Sequence, residues 1–122
     1  MQGNGLLLFL LTISLFTSAA DNAAIRVFVT SSHRAADVVK AETVAHINKN
    51  KHCRNLTVTI NRKRADYVIV HDDTGAGPGR KPQKIAVFDK TGDLVYSGAT
   101  RRVSSAVKDA CNAIKADLSQ EK

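Results

Sequence analysis

The stretch Ala65-Asp-Tyr-Val-Ile-Val-His-Asp-Asp73 constrains the fold more than any other part of the chain. It holds Val68-Ile69-Val70, the longest run of valine and isoleucine after the first twenty residues. β-Branched side chains suit a pleated strand and lose rotamer freedom in a helix. The basic run Arg62-Lys63-Arg64 precedes it and a Gly/Pro-rich segment follows. It reads as the central strand of a small sheet, about which the other elements must be arranged.

The flanking segments supply those elements. Ala24 to Thr30 alternates, with Ile25, Val27 and Val29 on one face and Arg26, Phe28 and Thr30 on the other. That is the pattern of a strand with one apolar face. Ser31 and Ser32 can each cap a helix start. Arg34 to about Lys49 reads as a helix, with Ala36, Val39, Thr43 and Ile47 on one side and Val38, Ala41 and Ala45 nearly opposite. Periodicity leaves open which side meets the sheet. Leu56 to Ile60 alternates as a second strand, and Asn61 to Arg64 is a tight basic connection. Asn55-Leu56-Thr57 matches a glycosylation acceptor, relevant only in a eukaryotic secretory pathway.

Beyond the central strand, Thr74 to Gln83 is a loop by composition. It has no Gly-Lys-Ser/Thr, Gly79-Arg80 breaks the dinucleotide pattern, and no helix follows, so it is not read as a phosphate loop. Lys84 to Lys90 and Leu94 to Thr100 alternate around Thr91-Gly92-Asp93, a hairpin signal. Val103, Val107, Ala110, Cys111, Ile114 and Leu118 recur on one face of a helix from about Arg101 to Leu118. The expected fold is an α/β two-layer sandwich in the order βαββββα. One mixed sheet of four to five strands carries two helices on one face. Phe28, Val68, Phe88 and Val95 are expected on the other face, as an apolar patch suited to a protein partner or a homodimer.

The ends and the charge limit the setting. Met1 to Ala20 contains no Asp, Glu, Lys or Arg, has an apolar run from Leu6 to Phe16, and ends in small residues. It reads as a secretory signal, with a single α/β domain over residues 21–122. The alternative, an anchor helix, would need about 20 apolar residues. No span is expected after signal removal, and no cysteine stands at the cleavage point to carry a lipid. A periplasmic or secreted location follows. All 18 Lys and Arg and all 11 Asp and Glu lie after Ala20, so the exported domain carries the full +7. Such a balance favours anionic polymers or lipid head groups as partners, or serves solubility alone. The absence of Trp argues against a base-stacking surface. Cys53 and Cys111 allow one intramolecular disulfide in an oxidising compartment; two buried thiols are the alternative.

Ala65-Asp-Tyr-Val-Ile-Val, followed by Ile85-Ala-Val-Phe-Asp-Lys-Thr-Gly-Asp-Leu-Val-Tyr96, resembles the core of a domain shared by the curli-secretion and penicillin-binding-protein activator lipoproteins. That domain is itself similar to the amino-terminal domain of the TolB translocation protein. The chain is closer still to small exported bacterial proteins with cysteines before the second strand and in the last helix. The likeness spans roughly Arg26 to Leu118. It implies an envelope location and a protein-binding fold with no catalytic residues to carry over. It singles out Ala65, Asp66, Tyr67, Asp89 and Gly92 as structural. Two features depart from it: there is no lipidated cysteine, and Asn61 to Arg64 leaves no room for a second helix.

Chemistry is sparse. His71 and Asp73 could share a face at a strand end, which gives two ligands where a zinc site needs more. His33, His46 and His52 are scattered, and Ser104-Ser105 has no nearby histidine in sequence. No enzyme activity, metal or cofactor is expected. Asp66 is expected to accept backbone hydrogen bonds at the strand start, and Tyr67 to fill core. Arg62, Lys63 and Arg64, together with Arg101 and Arg102, would form an anion-binding surface if they converged, with Arg80, Lys81 and Lys84 a third group. The reading is an exported accessory module that contacts an envelope protein; the alternative is a polyanion-binding envelope protein.

Overall fold

A computed structural model describes residues 24–31, 40–72 and 82–120. The stretch read as a leader, residues 34–39 of the expected first helix, Asp73, Arg80 and Lys81 lie outside the described residues; the helix is described from Ala41. Five strands form one mixed sheet: β1 (Ile25–Thr30), β2 (Leu56–Val58), β3 (Tyr67–Asp72), β4 (Gln83–Asp89) and β5 (Leu94–Thr100). Their spatial order is β2-β1-β3-β4-β5. β1 runs parallel to β2 and β3, and the remaining neighbours are antiparallel. Among the described residues two helices, α1 (Ala41–Lys49) and α2 (Val103–Gln120), complete the βαββββα order. The Val68-Ile69-Val70 run is the middle of the central strand.

The core lies between one sheet face and the helices. Val27, Val29, Tyr67, Ile69, Ile85 and Val87 meet Ile47 of α1 and Ala106, Val107, Ala110, Cys111 and Ile114 of α2. Every buried residue of α2 lies on the apolar stripe expected from its spacing, apart from Ala106, which widens it. For α1 the structure resolves the ambiguity: Thr43 and Ile47 are buried, Ala41 and Ala45 exposed. Cys53 and Cys111 are bonded, with Cα atoms 5.2 Å apart, tying the turn after α1 to the middle of α2.

Several expectations are corrected. β2 stops at Val58: the Thr59 amide makes the last ladder bond, to the Val27 carbonyl, and the Thr59 hydroxyl then accepts the Asn61 amide as the chain turns. Ile60 is therefore 83% exposed rather than on the strand's apolar face. Asn61 to Arg64 is a turn of 3-10 helix, capped by the Asn61 side chain accepting from the Lys63 amide. Val95 is not on the open face: the register slips between Val87 and Phe88, and Val95 packs against the core. Gly98 lies where β5 must leave space, since a Cβ there would overlap the Tyr96 hydroxyl.

Asp66 and Tyr67 are hydrogen-bonded into the fold. The Asp66 carboxylate accepts the Arg26 amide at 2.9 Å, while the Asp66 amide donates to the Arg26 carbonyl at 2.8 Å. Together these bonds start the β1–β3 pairing. Tyr67 is 2% exposed, and its hydroxyl donates to Asp117 of α2 at 2.6 Å. On β5, burial first and the Asp109 carboxylate second push the Tyr96 hydroxyl above the ordinary tyrosine range. Each tyrosine thus ties a strand to a carboxylate on α2. Tyr67→Phe removes a charge-assisted bond, which typically contributes about 1.5–3 kcal/mol. In urea unfolding Tyr67→Phe and Asp117→Ala should each destabilise, and the double variant should lose less than their sum.

The hairpin turn rests on Asp89. Its carboxylate accepts from the Thr91 hydroxyl at 2.6 Å, the Thr91 amide at 2.9 Å and the Asp93 amide at 3.0 Å, and Gly92 supplies a φ of +90°. The Thr91 hydroxyl, and then the Asp93 amide, hold the Asp89 carboxyl below the ordinary carboxylate value. A depressed folded-state pKa gives stability that is present above the unfolded value, about 3.9, and lost as pH falls through the folded one. Asp89→Asn should therefore melt below wild type at pH 7, with the gap narrowing below about pH 4. Melting temperatures across that range check the sign.

Candidate functional site

The two faces of the sheet differ. On the face away from the helices, cross-strand register sets Phe28, Val68, Phe88 and Leu94 in one row. Thr30, Val70, Ala86 and Ser97 form the next row, and Asp72, Lys84 and Ala99 the third. Phe28 is fully buried there, with the Arg62 guanidinium 5.9 Å from its ring centroid, within cation–π range. Val68, Val70, Ala86 and Phe88 are half-buried, and Leu94 is 57% exposed. Three members of the expected patch, Phe28, Val68 and Phe88, are thus in cross-strand contact positions.

Two open grooves follow this face. One, about 340 Å³, has Val68, Val70 and Phe88 in its floor and Arg62, Asp89 and Lys90 at its rim. The other, about 460 Å³, is floored by Val70, Ala86 and Ala99, with Asp72 and Lys84 beside it. They share Val70 and so run into one another. The resulting strip is apolar along its centre and charged at both ends. It suits an extended or flat apolar surface with polar edges better than a compact small molecule.

The basic residues do not converge. Arg62, Lys63 and Arg64 are exposed and precede β3, at the Tyr67–Asp89 end of the sheet. Arg101 and Arg102 are also exposed but follow Thr100, which pairs with Gln83 at the opposite end. A six-residue strand separates the two groups by roughly 20 Å. The antiparallel course of β4 and β5 is the cause: the chain passes along the sheet three times between the clusters. Lys84, opposite Asp72 and Ala99, lies at the Arg101 end.

His71 faces the helices and is fully buried. With Gln83 presenting its side-chain oxygen 2.6 Å from Nε2, that nitrogen donates, and Nδ1, 2.6 Å away, accepts the Thr43 hydroxyl in the neutral tautomer. The ring links β3, β4 and α1. Both ring nitrogens are engaged by side chains inside the core, which is the arrangement of a structural histidine. Asp72 points to the opposite sheet face, and Asp73 lies outside the described residues. Among the described residues no three His, Cys, Asp or Glu side chains come together as a metal site. Sequence reading missed Thr43 and Gln83 as partners of His71; a buried-side threonine on a helix, two strands from a histidine, was the available signal. Among the described residues no helix is long and apolar enough to cross a membrane.

No protein-family model matches the chain. No curated protein matches it either. Among solved structures it is similar to a ribosomal subunit interface protein from Coxiella burnetii, at TM-score 0.39 and 11% identity, over 80% of this chain and 97% of that one.

Proposed function

We propose that this protein is a non-catalytic accessory module of the cell envelope, which holds a protein partner on the open face of its sheet. One observation carries the reading: Val68, Val70, Ala86 and Phe88 line a continuous half-exposed strip on the face that neither described helix covers. Its apolar centre and charged ends match the anatomy of a protein interface, with a desolvated core and a polar rim. The leader-like start and the Cys53–Cys111 bond support export to an oxidising compartment. The polyanion alternative keeps some support from three consecutive exposed cations, Arg62 to Arg64, but the wide separation from Arg101 and Arg102 weakens it.

The two readings separate by salt and by variant. Val70→Glu places a charge in the shared floor of the grooves and leaves every basic residue in place. In crosslinked capture from a host envelope extract, a protein partner should survive a high-salt wash with wild type and be lost with Val70→Glu. Polyanion binding would instead fall steeply with salt and be indifferent to Val70→Glu. That second pattern would overturn the proposal.

A further inference from the structure

The two ends of the open-face strip differ in charge. At one end, the groove floored by Val68, Val70 and Phe88 is lined by two exposed cations, Arg62 and Lys90. The Arg62 guanidinium lies on this side of the sheet, 5.9 Å from the Phe28 ring centroid. Asp89 also lines the groove. One of its carboxylate oxygens accepts three donors of the hairpin turn, the Thr91 hydroxyl and the Thr91 and Asp93 amides, which offset its charge. Lys63 and Arg64, both exposed, follow Arg62 in the chain and add to the positive field. At the other end Asp72 and Lys84 stand directly opposite one another across β3 and β4, one carboxylate against one cation. Arg101 and Arg102 are at that end of the sheet but line neither groove.

We infer that the segment seated on the strip is an acidic–apolar stretch of the partner protein. Its carboxylates lie at the Arg62–Lys90 end, and its apolar side chains lie over Val68, Val70 and Phe88. The inference rests on the open-face reading above and adds the chemistry and direction of the occupant. A carboxylate at that end meets two cations at the edge of an apolar floor. A guanidinium can hold it with two parallel N–H bonds, and an ammonium adds a point charge. A neutral segment would gain the apolar contact alone, and a basic one would be repelled. Because Asp72 and Lys84 balance at the far end, the strip has a polarity, which fixes the end at which the segment carries its acid. Charges at a rim act on specificity more than on total affinity. The effect is therefore a preference between segments, while Val68, Val70 and Phe88 supply the contact.

The probes are short dye-labelled peptides with the same alternating valine and threonine, ending in two glutamates, two glutamines or two lysines. Fluorescence anisotropy with the protein as its host produces it, at physiological salt, reads their dissociation constants. The glutamate peptide should bind about ten-fold tighter than the glutamine peptide, as two exposed charge pairs allow, and the lysine peptide should bind weakest. Arg62→Gln and Lys90→Gln should each cut that preference to about three-fold. Arg101→Gln with Arg102→Gln removes charge from outside the grooves, and the preference should stay within about two-fold of wild type. Val70→Glu should abolish binding of all the peptides. Unchanged circular dichroism and urea midpoints verify that each variant folds. Peptides bound alike, and all lost with Val70→Glu, would overturn the inference and leave the open-face reading standing. Peptides indifferent to Val70→Glu would overturn both. A glutamate preference that follows Arg101 and Arg102 instead of Arg62 and Lys90, or no binding by any peptide at millimolar protein, would overturn the inference alone.

Discussion

Reducing the Cys53–Cys111 bond is expected to lower folding stability by about 4 kcal/mol, the largest single effect in this chain. The cysteines are 58 residues apart, and loop-closure entropy at that length gives the figure. A domain of about one hundred residues has a total stability of only about 5–15 kcal/mol, so the bond is a large share of it. Its position adds to the effect. α1 has nine described residues and β2 has three, and the cross-link fastens the turn between them to the well-packed middle of α2. Cys53 and Cys111 are 4% and 0% exposed, so reduced thiols remain as small apolar side chains and open little cavity. Reduced wild type is thus a cleaner comparison than Cys53→Ala with Cys111→Ala. The urea midpoint should fall by roughly 1–4 M on reduction. A midpoint that does not move would mean the unfolded chain gains no freedom when the bond opens.

His71→Ala is expected to destabilise by about 3 kcal/mol or more, through a cavity and the loss of one buried and one part-buried hydrogen bond. The Thr43 hydroxyl and the Gln83 amide would each lose a partner inside or beside the core. Thr43→Ala removes only one of those bonds and should cost about 1 kcal/mol. The two variants should be non-additive, because they share a contact. Urea unfolding of both and of the double variant checks this. The result also bears on function: a histidine kept for chemistry rather than packing would be replaceable with little loss of stability. Near-wild-type stability of His71→Ala would therefore reopen the enzyme reading.

Local patterns were the legible part of this fold. Val68-Ile69-Val70 marked the central strand, Thr91-Gly92-Asp93 the hairpin, and the Val103–Leu118 stripe the long helix, because each is a short-range signal of strand, turn or helix periodicity. Long-range geometry was not legible. Phe28 alternates out of the apolar face of β1, yet it is fully buried on the other side, with Arg62 near its ring. Alternation cannot report a second covered face. Val95 crossed to the core through a register slip that leaves no mark in composition. The separation of Arg62–Arg64 from Arg101–Arg102 depends on strand direction, which the sequence does not encode locally. The open face itself was half legible: Phe28, Val68 and Phe88 were foreseen together, while Val70 and Ala86, which join the grooves, emerge only from the register.

The central claim is that the partner sits on the open sheet face and not on the helices. The direct measurement places a photo-crosslinking side chain at position 86, on that face, or at position 112, on the exposed side of α2, and exposes each protein to its host envelope extract. The account predicts a discrete protein adduct from position 86 that disappears with Val70→Glu, and none from position 112. An adduct from position 112 alone, or from neither position, would contradict it.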